Sequence, residues 1–392
     1  MEEYDYKVLM DHLTSIPSCT LITTGRTGSD FLQSLLDSHT EVLTFNGNLW
    51  FYDFWGSAYS LNTATPILSD IIDEFIWKHI HRFKSFYDLN ERKGELGVRG
   101  DQSFEVDIVE FKEYFLLLMT DREVESKNIL LAIYGAYNLF LGHDLMKKKV
   151  FFHHIHNQNR LPEYLQDFPN SKVICMTRDP RANFVSGVLH HRQCNPNTDN
   201  EQHLFYYLLR IIKDAYILDS YIDDCNLSIV VRLEDLGKKC ILESLCDWLD
   251  ISFEETLMHS TWGKIQWGGD RLSSKPNTEA GFSEKMLKNS WNEKLSFLDK
   301  YLLNFLLNNR LKNYNYENSA IRIYDFLFIP SLILLPLRFE QRFFSYSYIK
   351  ENNWKTTKDN MLYYLKRIVF LYYIFFRKVG GFKFSKKYIK CD

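Results

Sequence analysis

Apolar and polar residues alternate along this chain in blocks that predict strands separated by helices. Short apolar runs predict buried strands, and longer runs with apolar residues three or four positions apart predict amphipathic helices. The predicted strands are residues 19–25, 94–100, 149–156, 172–177 and 227–232. The predicted helices are residues 28–38, 65–83, 129–141, 161–168, 179–191 and 201–223. Because strands alternate with helices, we expect an α/β fold with a parallel sheet covered by helices on both faces.

Charge is distributed unevenly along the 392 residues, whose formal net charge is −3. Residues 317–392 carry 14 Lys/Arg against six Asp/Glu, whereas the rest of the chain carries 33 against 44. This segment is also rich in aromatic residues. We therefore predict a main domain over residues 1–316 and a mostly helical, basic aromatic extension over residues 317–392.

The seven cysteines are scattered and include no Cys-x-x-Cys pair, which indicates neither a zinc site nor a disulfide framework. Free thiols are typical of a reducing compartment. The first residues are acidic and contain no long apolar run, so they do not have the pattern of a signal peptide. We expect a cytoplasmic protein.

The turn after the first predicted strand has the composition of a phosphate-binding loop. Gly25, Arg26, Thr27, Gly28 and Ser29 place small residues and several backbone N–H groups at the start of a predicted helix. Such groups and the positive end of a helix dipole favour an anion. The Gly-Lys-Ser/Thr of nucleoside triphosphatases is absent, and Arg26 supplies a fixed charge instead. Taken alone, the loop is equally compatible with an ordinary strand-to-helix turn.

A second segment follows a strand in the same way. Arg178 comes directly after the predicted strand 172–177, and Ser186 lies about two turns along the next helix at ~3.6 residues per turn. With TTGRTGSDF at the first turn and TRDPRANFVSG at the second, the chain resembles sulfotransferases that use 3′-phosphoadenosine 5′-phosphosulfate (PAPS). In having arginine at position 26, the chain is similar to the carbohydrate sulfotransferases of that family. The resemblance implies a P-loop-like fold and covers residues 19–236.

The resemblance implies a role for each matching residue. Arg26 would contact the 5′-phosphosulfate and stabilise the leaving phosphate, and residues 27–29 would complete that site. Arg178 and Ser186 would hold the 3′-phosphate. PAPS would be the co-substrate, and no metal ion is implied.

Asp30 departs from the family pattern, in which Ser, Thr or Asn is usual. A carboxylate facing the donor would repel its phosphosulfate group. Negative charge is favoured near the start of a helix. We therefore expect Asp30, at the donor site by position, to turn toward the helix start.

Three histidines near the end of the predicted strand 149–156 are candidates for the catalytic base. Strand alternation places His154 and His156 on one face of the sheet and His153 on the other. The run His-Ile-His-Asn is similar to the Lys-Thr-His-Leu-Pro segment of cytosolic sulfotransferases, which aligns His156 with the catalytic histidine and His154 with the lysine. An imidazole titrates near neutral pH, as a general base should. The alternative is that these residues are satisfied polar groups at a sheet end.

Other residues are candidates for the acceptor site. Asn48 lies about where other carbohydrate sulfotransferases carry a glutamate base, and because an amide cannot act as a base, this favours His156. Arg99 and Asp101 follow the predicted strand 94–100, whose carboxyl end would line the site. Arg99 would meet the sulfuryl group or an anionic acceptor, and Asp101 is the reserve base. Both are equally compatible with solvated loop charges.

Two further stretches contain candidate residues. The aromatic residues at positions 50, 51, 52 and 55 either stack on sugar rings or belong to the core, and the pattern slightly favours the core. The polar loop 267–277 contains Arg271 and Lys275, which are candidates for contact with the 3′-phosphate.

The extension 317–392 contains an uncharged run of 12 residues, from 326 to 337. A spanning helix needs ~20 residues, so we do not expect a transmembrane segment. Aromatic and aliphatic residues mixed with Lys and Arg fit a segment lying on an anionic membrane surface. They fit equally well two helices packed on the main domain with basic outer faces.

These observations favour a sulfotransferase that acts on a glycan or glycolipid hydroxyl, in the cytoplasm or at the cytoplasmic membrane face, without a nucleic-acid partner. One alternative is a P-loop kinase or nucleoside triphosphatase. The other is a non-catalytic, membrane-associated nucleotide-binding protein, for which Asp30 and Asn48 argue.

Overall fold

The computed structural model describes residues 5–23, 25–58, 67–85, 94–156, 158–194, 202–217, 227–269, 282, 291–351 and 353–379. Contacts divide the chain into two units. The first consists of Met1–Met176, Asn226–Met286 and Ile389–Asp392, and the second of Thr177–Cys225 and Leu287–Tyr388. The boundary expected between residues 316 and 317 stays a prediction.

The strands form one five-stranded sheet and one short hairpin. The sheet contains β1 (Ser18–Ile22), β2 (Val42–Leu43), β3 (Val150–Ile155), β4 (Lys172–Thr177) and β5 (Ser228–Arg232). The hairpin contains β6 (Thr261–Trp262) and β7 (Ile265–Gln266). The sheet order is β2-β3-β1-β4-β5, and β1 pairs in parallel with both β3 and β4. All five residues of β1 are buried, as expected for a central strand covered on both faces.

Sixteen α-helices lie within the described residues. They are α1 (Tyr6–Ser15), α2 (Ser29–Leu36), α3 (Phe51–Ala58), α4 (Leu68–Lys78), α5 (Ile80–Phe83), α6 (Ile108–Leu118), α7 (Ser126–Phe140), α8 (Leu161–Asp167), α9 (Pro180–Cys194), α10 (Gln202–Ile217), α11 (Lys239–Leu249), α12 (Trp291–Lys294), α13 (Phe297–Asn313), α14 (Asp325–Ile333), α15 (Tyr346–Glu351) and α16 (Trp354–Val379). Helices α9, α10 and α12–α16 belong to the second unit.

The predicted fold class is confirmed. The sheet is parallel, and helices pack on both of its faces: Gln33 of α2 is bonded to His154 of β3, and Tyr134 of α7 to His153. The region after residue 317 is helical, as expected. In the described part of the chain, no helix is both long enough and apolar enough to cross a membrane.

One predicted strand is wrong. Residues 94–100 form a turn with single bridges at Leu96, because Gly94, Gly97 and Gly100 have φ values of 69°, 83° and 67°. Only glycine adopts this left-handed region readily, and extended strands do not use it. A Cβ at Gly100 would come within 2.5 Å of the Gly94 carbonyl oxygen, so the tight turn itself requires glycine there.

The cysteines also differ in part from expectation. Cys19, Cys175 and Cys246 are free and buried. Burial raises the pKa of the Cys246 thiol to about 12, so that this thiol stays protonated at neutral pH. Cys240 is disulfide-bonded, which the expectation of free thiols did not include.

Candidate active site

The turn between β1 and α2 has a strained backbone. Gly25, Arg26 and Gly28 have positive φ values of 84°, 59° and 87°. A positive φ is uncommon for a residue other than glycine and carries a conformational cost, so Arg26 is held there by its surroundings. Neighbouring residues with left-handed geometry can turn backbone N–H groups into one anion-binding concavity, called a nest. We call residues 25–29 the cradle.

Side chains around the cradle fix its shape. Thr23 Oγ1 accepts a hydrogen bond from the Gly25 N–H at 3.0 Å and lies 2.6 Å from Thr27 Oγ1. Gly28 is the N-cap of α2, and a Cβ added to it would lie 2.4 Å from Leu233 Cδ1. Gly28 is therefore required both by its φ value and by this close approach. Thr24, inside the same turn, lies outside the described residues.

The cradle supplies two kinds of positive potential. Helix α2 begins at Ser29, so the unpaired N–H groups of its first turn and the positive end of its dipole lie at the cradle. Arg26 adds a guanidinium on a partly exposed side chain. The arrangement suits an oxyanion, as the sequence predicts for Arg26 and residues 27–29.

Asp30 lies in the first turn of α2 and is directed toward β3. Its Oδ1 is 3.8 Å from His154 Nδ1, and its side chain is half exposed. The negative charge sits at the positive end of the helix, where it is favourable. Among the described residues, Oδ1 has no hydrogen-bond partner. The carboxylate thus belongs to a polar cluster between α2 and the end of β3.

The tautomer of His154 follows from its neighbour Gln33. Gln33 Nε2 donates to the carbonyls of Phe45 and Gly47, each at 2.9 Å, so Gln33 Oε1 must face the ring. His154 Nδ1 lies 2.9 Å from that oxygen and therefore carries the proton. The second ring nitrogen, Nε2, then bears a lone pair. It is buried and has no hydrogen-bond partner in the described part of the chain.

His154 stays neutral at physiological pH. Burial first, and then repulsion between the protonated ring and the neighbouring His156 and Arg82, hold its pKa well below the usual value of 6.5. A desolvated imidazole beside cationic groups loses its charged form first. His154 is therefore a permanent hydrogen-bond acceptor through Nε2 rather than a group that stores a proton.

His153 and His156 have different surroundings. The ring of His153 stacks on Tyr164, its Nδ1 pairs with the Tyr134 hydroxyl at 2.8 Å, and burial lowers its pKa to about 3. His156 is partly exposed, and its ring centroid lies 5.5 Å from Trp50 and 5.8 Å from His154. The alternation expected along the strand is confirmed, and His156 is the accessible histidine of the three.

Asn48 belongs to a buried pair that the sequence did not suggest. Its Oδ1 accepts a hydrogen bond from the guanidinium of Arg82, and both side chains are buried. Asn46 Nδ2 in turn donates to the Arg82 carbonyl at 2.7 Å. Arg82 thus places a positive charge close to the polar cluster. It lies within an amphipathic helical run, and nothing in the local sequence distinguishes it from a surface arginine.

The aromatic stretch after Asn48 divides between the core and the surface. Phe51 and Tyr52 are buried, which confirms the core interpretation for them. The Tyr52 hydroxyl donates to Asp167 at 2.9 Å. Trp50 is 43% exposed beside His156. Because Phe51 and Tyr52 are buried, Trp50 is the residue of these three that is placed to stack on an acceptor.

Arg99 and Asp101 are exposed on the turn that replaces the predicted strand. The turn is anchored to the β6–β7 hairpin by the bridge from Leu96 to Trp267. That hairpin donates two hydrogen bonds to Asp37, at the C-terminal end of α2. The expected position at the carboxyl end of a sheet strand is therefore wrong, because this segment belongs to no sheet strand. The functional roles of Arg99 and Asp101 stay predictions.

The segment after β4 belongs to the second unit and is fixed by side chains. Asp179 accepts from Arg181 through both of its oxygens, from Nε at 2.9 Å and from Nη2 at 2.6 Å. Arg181 also donates to Asn304 and lies over the Trp291 ring. Arg181 thus shapes the start of α9.

The predicted 3′-phosphate residues lie on either side of this pair. Arg178 precedes α9, and Ser186 lies within it; both are partly exposed. Arg310 of α13 is buried, and its Nη2 donates at 2.6 Å to Thr177, the residue before Arg178. Sequence reasoning missed Arg310, since it is 133 residues away along the chain. Arg271 and Lys275 lie outside the described residues.

Comparison with known proteins gives distant likenesses. No protein-family model matches the chain, and no curated protein matches it at a significant level. It is similar to the sulfotransferase domain from the curacin biosynthetic pathway, with 17% identity, a TM-score of 0.40, and coverage of 78% of this chain and 99% of that domain. It is also similar to the sulfotransferase domain of the Synechococcus PCC 7002 olefin synthase, with 14% identity, a TM-score of 0.37, and coverage of 71% and 88%. The interpretation of the site therefore rests on its own residues.

Proposed function

We propose that this protein is a sulfotransferase that moves the sulfuryl group of PAPS to a hydroxyl group, on a glycan or glycolipid. The observation that carries the proposal is the cradle, in which Arg26 is held in a strained left-handed geometry between Gly25 and Gly28, beside the start of α2. Strain of this kind is typical of ligand-binding sites. The sequence resemblance at residues 25–29 and 178–186 supports phosphosulfate as the anion.

Arg26 is the residue that stabilises the leaving group. In the proposed reaction the acceptor oxygen forms a bond to sulfur while the bond from sulfur to the bridging phosphate oxygen breaks. The product 3′,5′-adenosine bisphosphate takes up the negative charge of that oxygen. A guanidinium and backbone N–H groups fixed in advance at this oxygen lower the barrier without rearranging. Arg178 and Ser186 are proposed to hold the 3′-phosphate on the strength of their motif.

His156 is the proposed base. Its ring is accessible, whereas His154 has a pKa too low for efficient proton transfer near pH 7, where the best base titrates close to the working pH. His154 Nε2 suits a different task, which is to accept a hydrogen bond from a substrate hydroxyl and orient it. Trp50 would offer a sugar ring an apolar surface beside His156.

Calorimetry distinguishes this function from that of a nucleoside triphosphatase. We expect the protein to bind 3′,5′-adenosine bisphosphate without a metal ion, and to bind ATP with Mg²⁺ at least tenfold more weakly. Arg26→Ala should weaken bisphosphate binding, whereas Arg122→Ala, at a partly exposed arginine paired with Asp11, should not. Tighter binding of ATP with Mg²⁺ would favour the kinase or triphosphatase alternative.

Transfer of ³⁵S-sulfate to a glycan mixture tests catalysis and the base together. His156→Ala should lower kcat by about 10²–10⁴-fold with little change in bisphosphate binding, because a general base contributes that much. His259→Ala is the matched control, since it removes an exposed imidazole elsewhere. A loss below about threefold would move the assignment to Asp101, to be tested with Asp101→Asn. Normal bisphosphate binding without transfer to any glycan would favour a non-catalytic protein.

A further inference from the structure

Helix α16 of the second unit has two apolar sides, and one of them packs inside that unit. Leu371, Ile374 and Phe375 are buried. Arg367 is buried with them and pairs with Glu340 at 3.0 Å. This side explains how the helix is held in place, but it leaves other large apolar residues of α16 exposed.

The other side is an exposed apolar stripe. It consists of Leu362, Leu365, Val369, Tyr373 and Phe376, whose exposed fractions are 46, 56, 70, 52 and 68%. Their spacings of three, four, four and three residues place them along a single face of a helix. Trp354, at the start of α16, is 81% exposed. We call these five residues the α16 stripe.

Lysines are interleaved with the stripe. Lys355, Lys358 and Lys366 are exposed, and at ~100° per residue they lie on the same side of the helix as Val369. Asp359 is the one acidic residue in the sequence of α16. The face that α16 presents to solvent is therefore apolar and positively charged at once.

The surface of residues 317–379 is more basic than their sequence suggests, because two of their acidic side chains are buried. Asp325 accepts from the Tyr301 hydroxyl and from the Arg322 N–H. Glu340 accepts from the Leu337 N–H at 2.8 Å and is enclosed against Arg367. These carboxylates are used inside the unit, so they do not offset the exposed lysines and arginines of residues 317–379.

We infer that the α16 stripe is a membrane-docking surface that rests on an anionic lipid bilayer. An amphipathic helix with large apolar residues on one face and lysines beside them lies in the bilayer interface, where apolar burial and attraction to anionic lipid add together. Tryptophan at the edge of such a face is favoured at the interface. A second copy of the chain is a poorer occupant, because pairing two stripes would bring lysines together without acidic partners on that face.

Vesicle flotation with a matched pair of variants tests the surface. The wild type should bind vesicles of phosphatidylcholine with 30% phosphatidylserine, and 0.5 M NaCl should weaken that binding. Val369→Glu should reduce the bound fraction about tenfold. Val109→Glu is the control, since Val109 is 67% exposed on α6 and should bind as the wild type does. Thermal unfolding followed by circular dichroism should be alike for both variants, which separates lost docking from lost folding.

Three results would overturn the inference. One is wild-type protein that does not bind the anionic vesicles, or that binds phosphatidylcholine alone equally well. Another is a dimer in sedimentation velocity without lipid that Val369→Glu converts to a monomer, since this would make a second copy the occupant. The third is unchanged binding by a folded Val369→Glu, Leu365→Glu double variant, which would exclude the stripe. Neither measurement involves nucleotide or sulfate transfer, so the outcome is independent of the proposed function.

Discussion

The two strand-to-helix junctions at which the sequence predicts anion binding are built differently. At the first, between β1 and α2, the anion surface is backbone held in left-handed geometry at Gly25, Arg26 and Gly28. At the second, after β4, a buried ion pair between Asp179 and Arg181 fixes the chain. Two junctions with similar predicted roles are thus shaped by backbone geometry in one place and by a side-chain ion pair in the other. The two junctions should therefore respond to different substitutions.

The largest effect is expected at the second junction, from Arg181→Ala. Removing one partner of a buried ion pair leaves the Asp179 carboxylate without its bidentate partner, which costs about 3–5 kcal/mol. Unfolding in urea measures the loss. Arg122→Ala breaks the more exposed pair with Asp11 and should cost about 1 kcal/mol or less. Equal costs for the two variants would mean that the Asp179 pair does not lock the junction.

Arg178→Ala should affect binding and leave the fold in place. We expect the KM for PAPS to rise roughly 10- to 100-fold, since a hydrogen bond to a charged group is worth about 1.5–3 kcal/mol. Calorimetry with 3′,5′-adenosine bisphosphate provides the same test without turnover. Arg210→Ala is the control, because Arg210 is an exposed arginine on α10. An unchanged affinity in Arg178→Ala would refute the 3′-phosphate assignment.

The first junction should be sensitive to a single methyl group. In Gly28→Ala the new Cβ meets Leu233 Cδ1 at 2.4 Å, in a backbone with φ of +87°. Gly142 has φ of +70° and open space around its Cβ position, so Gly142→Ala carries only the conformational cost. Overpacking costs about 1–3 kcal/mol. Gly28→Ala should be less stable than Gly142→Ala by about that amount in urea unfolding, and equal losses would show that Leu233 moves aside freely.

The acid response should also differ between the two junctions, because the imidazole of His153 is buried on β3 opposite Thr20 of β1. Burial lowers the pKa of His153 and of His143 to about 3, below the ordinary value of 6.5. Between these values the unfolded chain binds protons that the folded chain does not. The contribution of these histidines to stability is therefore complete above pH 6.5 and falls as the pH drops toward 3, by up to about 1.4 kcal/mol per pH unit for each histidine.

His153→Gln should lessen this dependence. A glutamine can still accept a hydrogen bond from Tyr134 but does not titrate. Urea unfolding at pH 7, 6 and 5 gives the slope for the wild type and the variant. Equal slopes would mean that His153 takes no part in the acid response.

The sequence predicted the sheet well where one local pattern decides the structure. The four predicted strands that form sheet strands β1, β3, β4 and β5 agree within three residues at each end, since buried strands read as apolar runs. Strand β2 was missed because Val42–Leu43 is only two residues long. Residues 94–100 were wrongly predicted as a strand, because Leu96 and Val98 alternate with other residues in a strand-like pattern. The glycines around them form a turn instead.

The candidate site was predictable only where backbone motifs carry it. The cradle follows from glycine spacing, and the alternation of His153 and His154 follows from strand geometry. Gln33 and Arg82 could not be found this way, because their roles depend on partners 121 and 34 residues away. The tautomer of His154 is likewise a product of tertiary packing.

The central position of β1 in the sheet also affects the order in which strands can pair during synthesis of the chain. Thr20 is bonded to the His153 carbonyl, 133 residues later, so β1 leaves the ribosome long before either neighbouring strand exists. At ~5–20 residues per second, the delay is roughly 7–27 s. For that time an apolar strand has both edges open, which is a hazard for aggregation. Strand β1 is therefore paired on both edges only after β3 and β4 have been synthesised, so the centre of the sheet forms long after β1 itself has been made.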